Sequence, residues 1–262
     1  MRQLTETPLV RDGKSIILAH DHGLEHGPAA FEDVPERLDP RTVFELATHD
    51  AVTGFAVQKG LAETYYPSYE EDVNLLAKLN GTSSLWMGEP YSPQTCSVEY
   101  ALELGADAVG YTVYPGTNRE TEMFEEFRDV QERARERDVP VAMWSYPRGQ
   151  ALKEHRKPAV ISYATRIALE LGADIAKVKY PRSGRAMADA VAAAGDVNVV
   201  LSGGSKTDDR EFLSLVETAM DAGASGLAVG RNVWQRENPE RILDALEAVV
   251  FEEATADEAL PE

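Results

Sequence analysis

Two lysines lie close together in a segment with the composition of a buried strand. Lys177 and Lys179 belong to residues 172–180 (GADIAKVKY), which follow an alanine- and leucine-rich helical pattern. Residues i and i+2 of a strand point to the same face, so the two amines share one face. Two ammonium groups in a poorly solvated pocket lower each other's pKa, and a partly neutral lysine can form a Schiff base with a carbonyl. The alternative is that both amines lie at the solvated end of the strand and bind an anion.

Two glycine-containing turns carry the residues of an anion site. Each turn follows an apolar run, and glycines allow backbone N–H groups to approach an anion closely. A short helix that starts at Asn232 would add its positive end. We therefore predict a phosphate site made by Ser202, Gly203, Gly204, Lys206, Gly230 and Arg231.

The segment WSYPRG (144–149) supplies three further candidates. Trp144 and Tyr146 share a face, as the two lysines do, and Trp144 could simply cap the core. The Tyr146 phenol, placed beside ammonium groups, is expected to have a lowered pKa and to move protons. Arg148 suits a second anionic group of the substrate.

The motif His20-Asp21-His22 could be half of a zinc site. The three remaining histidines, at positions 26, 49 and 155, do not follow apolar runs, so we predict no metal. Asp21 is better interpreted as a carboxylate that pairs with a lysine or handles a hydroxyl proton. His22 is counted among the substrate-binding candidates, while the roles of His20 and Lys59 stay open.

These residues follow apolar runs that alternate with helical patterns. The predicted strands are 15–19, 54–58, 84–87, 108–111, 139–144, 175–178, 197–201 and 226–229, and the predicted helices are 41–50, 70–80, 97–104, 118–137, 159–171, 185–194, 208–222 and 239–251. Alternating units of this kind predict a parallel sheet, and eight of them predict a single-domain (β/α)8 TIM barrel over residues 13–251. An open doubly wound sheet is the runner-up, but GxGxxG is absent after the first run. Residues 1–12 would be an N-terminal extension and 252–262 a disordered acidic tail.

The charge balance is strongly acidic. The chain has 45 Asp and Glu against 26 Lys and Arg, for a net charge of −19 over 262 residues, and only 8 of the cations are lysines. This composition favours adaptation to high salt and argues against nucleic-acid or anionic-membrane partners. One cysteine, no membrane-length apolar run and no apolar signal core predict a cytoplasmic protein without disulfides.

Six segments in order resemble the archaeal-type class I fructose-1,6-bisphosphate aldolases. They are DHGLEHGP (21–28), YTVYPG (111–116), WSYPRG (144–149), ADIAKVKY (173–180), LSGGSKT (201–207) and AVGRNVWQ (228–235). The resemblance implies a Schiff base on Lys177, proton transfer by Tyr146, an acid/base or orienting role for Asp21, and a pocket shaped by Trp144. It implies that Gly204, Gly230 and Arg231 hold the phosphate nearest the carbonyl. It also implies no cofactor beyond the lysine imine, and a ring-shaped homo-oligomer, often a decamer.

Two other functions stay open at this level. A neighbouring family makes 2-amino-3,7-dideoxy-D-threo-hept-6-ulosonate by transaldolase-type exchange on the same barrel, lysine and phosphate loops. The pair Glu25-His26 and the WSYPRG segment favour the aldolase. A barrel that binds sugar phosphates without turnover is disfavoured, because binding alone does not require a buried amine pair.

Overall fold

The chain forms a closed barrel of parallel strands, as predicted. The computed structural model describes residues 7–260, and within that range eight strands are arranged in chain order, with β8 returning to pair with β1. The strands are β1 (Ser15–Ala19), β2 (Gly54–Gln58), β3 (Leu75–Lys78), β4 (Ala108–Val113), β5 (Val141–Ser145), β6 (Ile175–Lys179), β7 (Asn198–Ser202) and β8 (Gly226–Val229).

Helices connect the strands and cover the outside of the barrel. They are α1 (His22–His26), α2 (Arg41–Ala47), α3 (Lys59–Tyr65), α4 (Val98–Glu103), α5 (Glu120–Glu136), α6 (Pro158–Glu170), α7 (Gly184–Ala193), α8 (Asp209–Asp221), α9 (Arg231–Trp234), α10 (Pro239–Phe251) and α11 (Ala256–Ala259). Short 3-10 helices occupy Gly27–Phe31, Pro35–Leu38 and Tyr66–Ser68, the first two within a segment predicted to be a long loop. None of the helices in residues 7–260 is long and apolar enough to cross a membrane.

The third strand is the one element that the sequence pattern misplaced. A helix over 70–80 and a strand over 84–87 were predicted, and both predictions are wrong. Leu75–Lys78 forms β3 and pairs with β2, Phe55 opposite Leu75, while the helix after β2 is α3. A continuous apolar run is typical of a strand buried on both faces, but so short a run also fits a helix. Residues 85–87 lie in a loop, where Leu85 is 90% exposed.

The barrel interior is lined mostly by small side chains. Inward-facing alanines are Ala19, Ala56, Ala108, Ala142 and Ala228. They leave room for the indole of Trp144, which lies so close to β4 that a Cβ on Gly110 would be 2.5 Å from its Cζ3 atom. Leu9, fully buried, belongs to the same interior cluster and closes it from the N-terminal side.

The described part of the C-terminal segment packs more closely than the sequence suggested. Residues 252–260, expected to be a disordered tail, include α11, which Thr255 and Glu258 cap reciprocally. Leu260 is buried at 8% exposure, and Glu217 of α8 accepts a hydrogen bond from the Ala256 amide at 3.0 Å. The disordered tail is therefore wrong for these residues, because its apolar positions dock on α8 and α10. Residues 1–6 and 261–262 lie outside the described range.

Candidate active site

The C-terminal ends of five strands meet around one cavity of about 150 Å³. Side chains two residues apart along these strands point inward, which brings the predicted residues together. The lining residues are Asp21, His22, Glu25, His26, Trp144, Tyr146, Arg148, Arg156, Lys177, Lys179, Ser202, Gly203, Gly204, Ser205, Ala228, Gly230 and Arg231. All the predicted site residues except Lys206 lie here.

Lys177 is the buried amine of this cavity. Its side chain comes from β6, the residue is 6% exposed, and Nζ lies 4.8 Å from the centre of the Trp144 ring. Burial lowers the pKa of Lys177 to about 8; Asp21 opposes this and Lys78 adds to it. An amine with this pKa is partly neutral near pH 7 and can act as a nucleophile.

Lys179 lies on the same face of β6 as Lys177, as predicted. It is not among the charged groups that lower the pKa of Lys177. Its Nζ lies 5.5 Å from the centre of the Tyr146 ring. Burial lowers the pKa of Lys179 to about 8, helped by Arg148 and Arg156. The cations that lower the pKa of Lys177 are Lys78 and Arg231. The mutual lowering expected of the two lysines is therefore wrong, because each amine faces different neighbours.

Asp21 is the carboxylate with the largest electrostatic effect on the Lys177 amine. It follows β1 directly and is 5% exposed. Burial alone would raise the pKa of Asp21, but the surrounding His22, Lys177 and Lys78 outweigh it and lower that pKa. His22 Nδ1 lies 3.6 Å from the Asp21 carboxylate, and burial lowers the pKa of His22 to about 3. Asp21 is thus ionised and His22 neutral near pH 7.

The Tyr146 phenol points into the cavity and donates a hydrogen bond to Ser202 Oγ at 3.0 Å. Burial raises the pKa of Tyr146, and the hydrogen bond to Ser202 only partly offsets it. The predicted lowering of this pKa is wrong, because removal from water outweighs the neighbouring cations. Tyr146 is therefore a neutral phenol, which can give a proton and take one back.

The loops after β7 and β8 are joined rigidly by Asn232. Its Nδ2 donates to the carbonyls of Gly203 at 2.8 Å and Ser205 at 2.9 Å, and its Oδ1 accepts from the Thr207 amide at 3.0 Å. The close approach requires glycine, since a Cβ on Gly203 would lie 2.7 Å from Val229 Cγ2. These contacts hold the backbone of both loops around the end of the cavity.

The same end of the cavity carries two features that suit an anion. Gly204 has φ +70°, a left-handed conformation that favours glycine. Arg231 Nε is buried and has no hydrogen-bond partner among residues 7–260. An unpaired buried guanidinium nitrogen facing a cavity is suited to a charged acceptor such as a phosphate oxygen.

A second group of cations lines the same cavity. Arg148 stacks over the Tyr114 ring at 4.6 Å, and its amide donates to the Pro115 carbonyl at 3.0 Å. Arg156 and Lys179 line the same region. Arg156 was missed because it follows β5 only after a long charged loop, where the sequence offers no periodic signal.

Four polar residues that end or follow predicted strands do not line the cavity, and only Lys206 among them was a predicted site residue. Lys206 donates to the Gln235 carbonyl at 2.8 Å and is exposed, so its phosphate role is not supported. Lys59 begins α3 and lines a separate cleft. Glu89 follows no strand and accepts from Thr117 at 3.1 Å, and the Tyr111 hydroxyl donates to Glu126 on the outside of the barrel.

Two charged residues near the site were not predicted. Lys78 ends β3 and is fully buried; the lysine in the apolar run LLAKL was the available signal, but the run was assigned to a helix. Glu25, on α1, lines the cavity, and burial together with Asp21 raises the pKa of its carboxyl. Sequence reasoning used Glu25 only as a family marker.

The His-x-His motif is divided between two environments. The His20 imidazole packs among Phe31, Phe55 and Trp234, with its ring centre 5.7 Å from that of Phe31. Burial lowers the pKa of His20 to about 4. In the part of the chain that the structure describes, no three His, Cys, Asp or Glu side chains are grouped so as to hold a metal ion. His20 is therefore a core residue.

A closed (β/α)8 barrel with a buried, partly neutral lysine in a cavity lined by further cations defines the class of Schiff-base aldolase barrels. The comparisons with known proteins agree. The model of the DeoC/LacD family of aldolases matches residues 15–236. A solved Schiff-base-forming fructose-1,6-bisphosphate aldolase superimposes with a TM-score of 0.91 at 46% identity, over 95% of this chain and 98% of that chain.

Two curated relatives are similar over most of their length. Fructose-bisphosphate aldolase class 1 of Halobacterium salinarum is 66% identical over 260 residues, 99% of each chain. The 2-amino-3,7-dideoxy-D-threo-hept-6-ulosonate synthase 1 of Archaeoglobus fulgidus is 35% identical over 242 residues, 92% of this chain and 88% of the relative. The chain belongs to the DeoC/LacD aldolase family, in its archaeal class 1 fructose-bisphosphate aldolase branch.

Proposed function

We propose that this chain is a class I aldolase that reversibly cleaves fructose 1,6-bisphosphate to dihydroxyacetone phosphate and glyceraldehyde 3-phosphate, with Lys177 as its nucleophile. The observation that carries the assignment of Lys177 is its position: a buried amine with a pKa of about 8, over the Trp144 ring and beside Asp21. The identity of 66% to a class 1 aldolase over the whole chain supports the substrate.

The reaction uses the lysine as an electron sink. Neutral Lys177 adds to the C2 carbonyl of the open-chain sugar, and the carbinolamine loses water to give a protonated imine. The C3–C4 bond breaks when a base removes the C4 hydroxyl proton; its electrons pass into the imine to form an enamine, and the aldehyde leaves. Protonation of the enamine at C3 and hydrolysis release dihydroxyacetone phosphate and regenerate the amine.

Tyr146 and Asp21 divide the proton transfers. Tyr146 is a neutral phenol hydrogen-bonded to Ser202, which suits transfer to and from the substrate. Asp21 is an ionised carboxylate near Lys177, which suits it to accept the C4 hydroxyl proton, to stabilise the imine cation and to orient the substrate hydroxyls. The buried Nε1 of Trp144 has no hydrogen-bond partner within residues 7–260, so it is free to donate to the substrate.

The two phosphates bind to the two groups of cations. The phosphate next to the reacting carbonyl lies on Gly204, Gly230 and Arg231, in the loops that Asn232 holds together. The distal phosphate lies near Arg148, Arg156 and Lys179. A substrate bound in this way extends across Lys177, because the lysine and both groups of cations line the same cavity.

Borohydride trapping tests the assignment. The protein is incubated in molar potassium chloride with dihydroxyacetone phosphate, reduced, digested and analysed by peptide mass. We expect a stable adduct on Lys177. An adduct on Lys179 would show that the nucleophile is misassigned, and no adduct on a folded protein would contradict imine chemistry.

The synthase of the neighbouring family remains the second candidate, because one such enzyme is 35% identical over most of its length. It would also give the lysine adduct, so only a product assay separates the two activities. We expect cleavage of fructose 1,6-bisphosphate; formation of the hept-ulosonate without that cleavage would favour the synthase. A barrel that only binds sugar phosphates would give neither product.

We further propose that the chain acts in the cytoplasm as a ring-shaped homo-oligomer, such as a decamer. The support is an exposed apolar loop in which Trp86 is 67% exposed and Met87 is 91% exposed. Such a cluster suits contact with another copy. Light scattering in molar potassium chloride tests this, and the mass of a single chain would overturn it.

A further inference from the structure

Lys78 is a fully buried cation that the proposed reaction does not use directly. It ends β3 at 0% exposure. Its Nζ donates to Thr112 Oγ1 at 2.6 Å, and to the backbone and side-chain oxygens of Asn80 at 3.3 Å each. Three acceptors match the three N–H donors of an ammonium group, whereas a neutral amine has two. Burial lowers the pKa of Lys78, but Asp21 and Glu25 oppose that lowering, and the three acceptors favour the charged form.

The group that holds Lys78 is itself fixed. Asn80 Nδ2 donates to the carbonyls of Ser92 at 2.9 Å and Thr112 at 2.8 Å. Its Oδ1 also accepts from the Thr112 amide at 2.7 Å. These bonds join the segment after β3 to β4, so the ammonium has a defined position under the cavity floor.

Lys78 and the nucleophile lie over the same aromatic ring. The Nζ atoms of Lys78 and Lys177 are 5.0 Å and 4.8 Å from the centre of the Trp144 ring. The two charges are therefore less than about 10 Å apart, and in a poorly solvated interior charges at such a separation interact appreciably. Trp144 belongs to β5, which pairs directly with β6 and is separated from β3 by β4.

We propose that Lys78 is a positioning residue for catalysis: a fixed, buried cation that favours the neutral, nucleophilic form of Lys177 and the ionised form of Asp21. The inference rests on the proposed role of Lys177. The other charged groups that act on Lys177 are Asp21 and Glu25, which favour its protonated form, and Arg231, which disfavours it. Lys78 counterbalances the two carboxylates, since its charge acts on Lys177 in the opposite direction.

Replacement of the charge with little change in volume tests the proposal. In Lys78→Met, the pH at which half-maximal imine trapping with dihydroxyacetone phosphate and cyanoborohydride is reached should rise by about one unit. Trapping near pH 7 should then fall about tenfold. Lys78→Arg keeps the charge and should restore most of the wild-type midpoint. If Lys78→Met does not fold, Lys78→Gln, which keeps a hydrogen-bonding end, gives the same comparison.

Thr112→Val is the matched control. It removes the shortest hydrogen bond to Lys78 but leaves the ammonium in place, so it should lower thermal stability without moving the midpoint. A midpoint unchanged in a folded Lys78→Met protein would overturn the inference, and so would an equal shift in Thr112→Val. Failure of the wild-type protein to form any adduct on Lys177 would instead refute the proposed nucleophile, and the inference with it.

Discussion

The Tyr146 hydroxyl donates a hydrogen bond to the Ser202 hydroxyl at 3.0 Å, across the strand that carries Lys177. Tyr146 follows β5 and Ser202 ends β7, so the bond spans β6. The phenol is thereby held in the cavity that Lys177 also lines, with a raised pKa that keeps it protonated. This relationship determines which group can transfer a proton during bond cleavage.

Removal of the Tyr146 hydroxyl should slow cleavage without preventing imine formation. We expect Tyr146→Phe to lower kcat by about 10²- to 10⁴-fold, the range usual for a lost general acid or base. The Lys177 adduct with dihydroxyacetone phosphate should still be trapped by borohydride. Ser202→Ala, which removes only the partner of the phenol, should have a smaller effect on kcat. Equal losses in both variants would indicate that the hydrogen bond, and not the proton transfer, matters.

Substitution should distinguish the roles of the two lysines of β6. Lys177→Met should abolish both trapping and cleavage, because Lys78, the other amine over the Trp144 ring, does not line the cavity. Lys179→Met preserves the nucleophile, so it should retain the borohydride adduct and lose affinity for the bisphosphate. Peptide mass spectrometry and steady-state kinetics measure both outcomes. Formation of the adduct by Lys177→Met in the wild-type yield would contradict the assignment of Lys177 as the nucleophile.

Imine formation should rise with pH through a midpoint near that of Lys177. The pKa is lowered from 10.5 to about 8, so the neutral amine increases as the pH rises through that value. A lysine with an unperturbed pKa would show the increase more than two units higher. Single-turnover trapping rates with dihydroxyacetone phosphate over this range measure the midpoint. Rates that keep rising tenfold per unit beyond about pH 9 would contradict a lowered pKa.

The loops after β7 and β8 should bind the phosphate that both the bisphosphate and dihydroxyacetone phosphate carry. Arg231→Gln removes a buried cation from that end, and we expect KM for both compounds to rise by about tenfold or more. Lys206→Gln is the matched comparison, because Lys206 lies outside the cavity and bonds to the Gln235 carbonyl. A rise of KM in Lys206→Gln as large as in Arg231→Gln would return Lys206 to the phosphate site.

Arg148 should discriminate between one and two phosphates. In Arg148→Met, kcat/KM for fructose 1,6-bisphosphate should fall by about ten- to a hundredfold, the loss expected for one charged hydrogen-bonding group. Activity on fructose 1-phosphate, which lacks the distal phosphate, should change little. The comparison of the two substrates in one variant separates phosphate binding from general damage. An equal loss on both would place Arg148 elsewhere in the mechanism.

The strands, their order and most of the site could be predicted from the sequence. Apolar runs bounded by glycine and proline located seven of the strands, and parallel strands place the residues that follow them at one end of the barrel. Lys177, Tyr146, Asp21 and the two glycine turns therefore came together as expected. The choice between Lys177 and Lys179 could not be made in this way, because both share one face and differ only in depth.

The sequence by itself determined the barrel and the chemical types at its active end, because hydrophobic periodicity and turn residues act locally along the chain. Only the tertiary structure decided where β3 lies, since a short apolar run fits a helix or a strand until it pairs with β2. It also decided that Lys78, and not Lys179, is among the charged groups that lower the pKa of Lys177, and that Tyr146 is a neutral phenol. Burial and neighbouring charges set these pKa values, and both depend on residues that are distant in the chain.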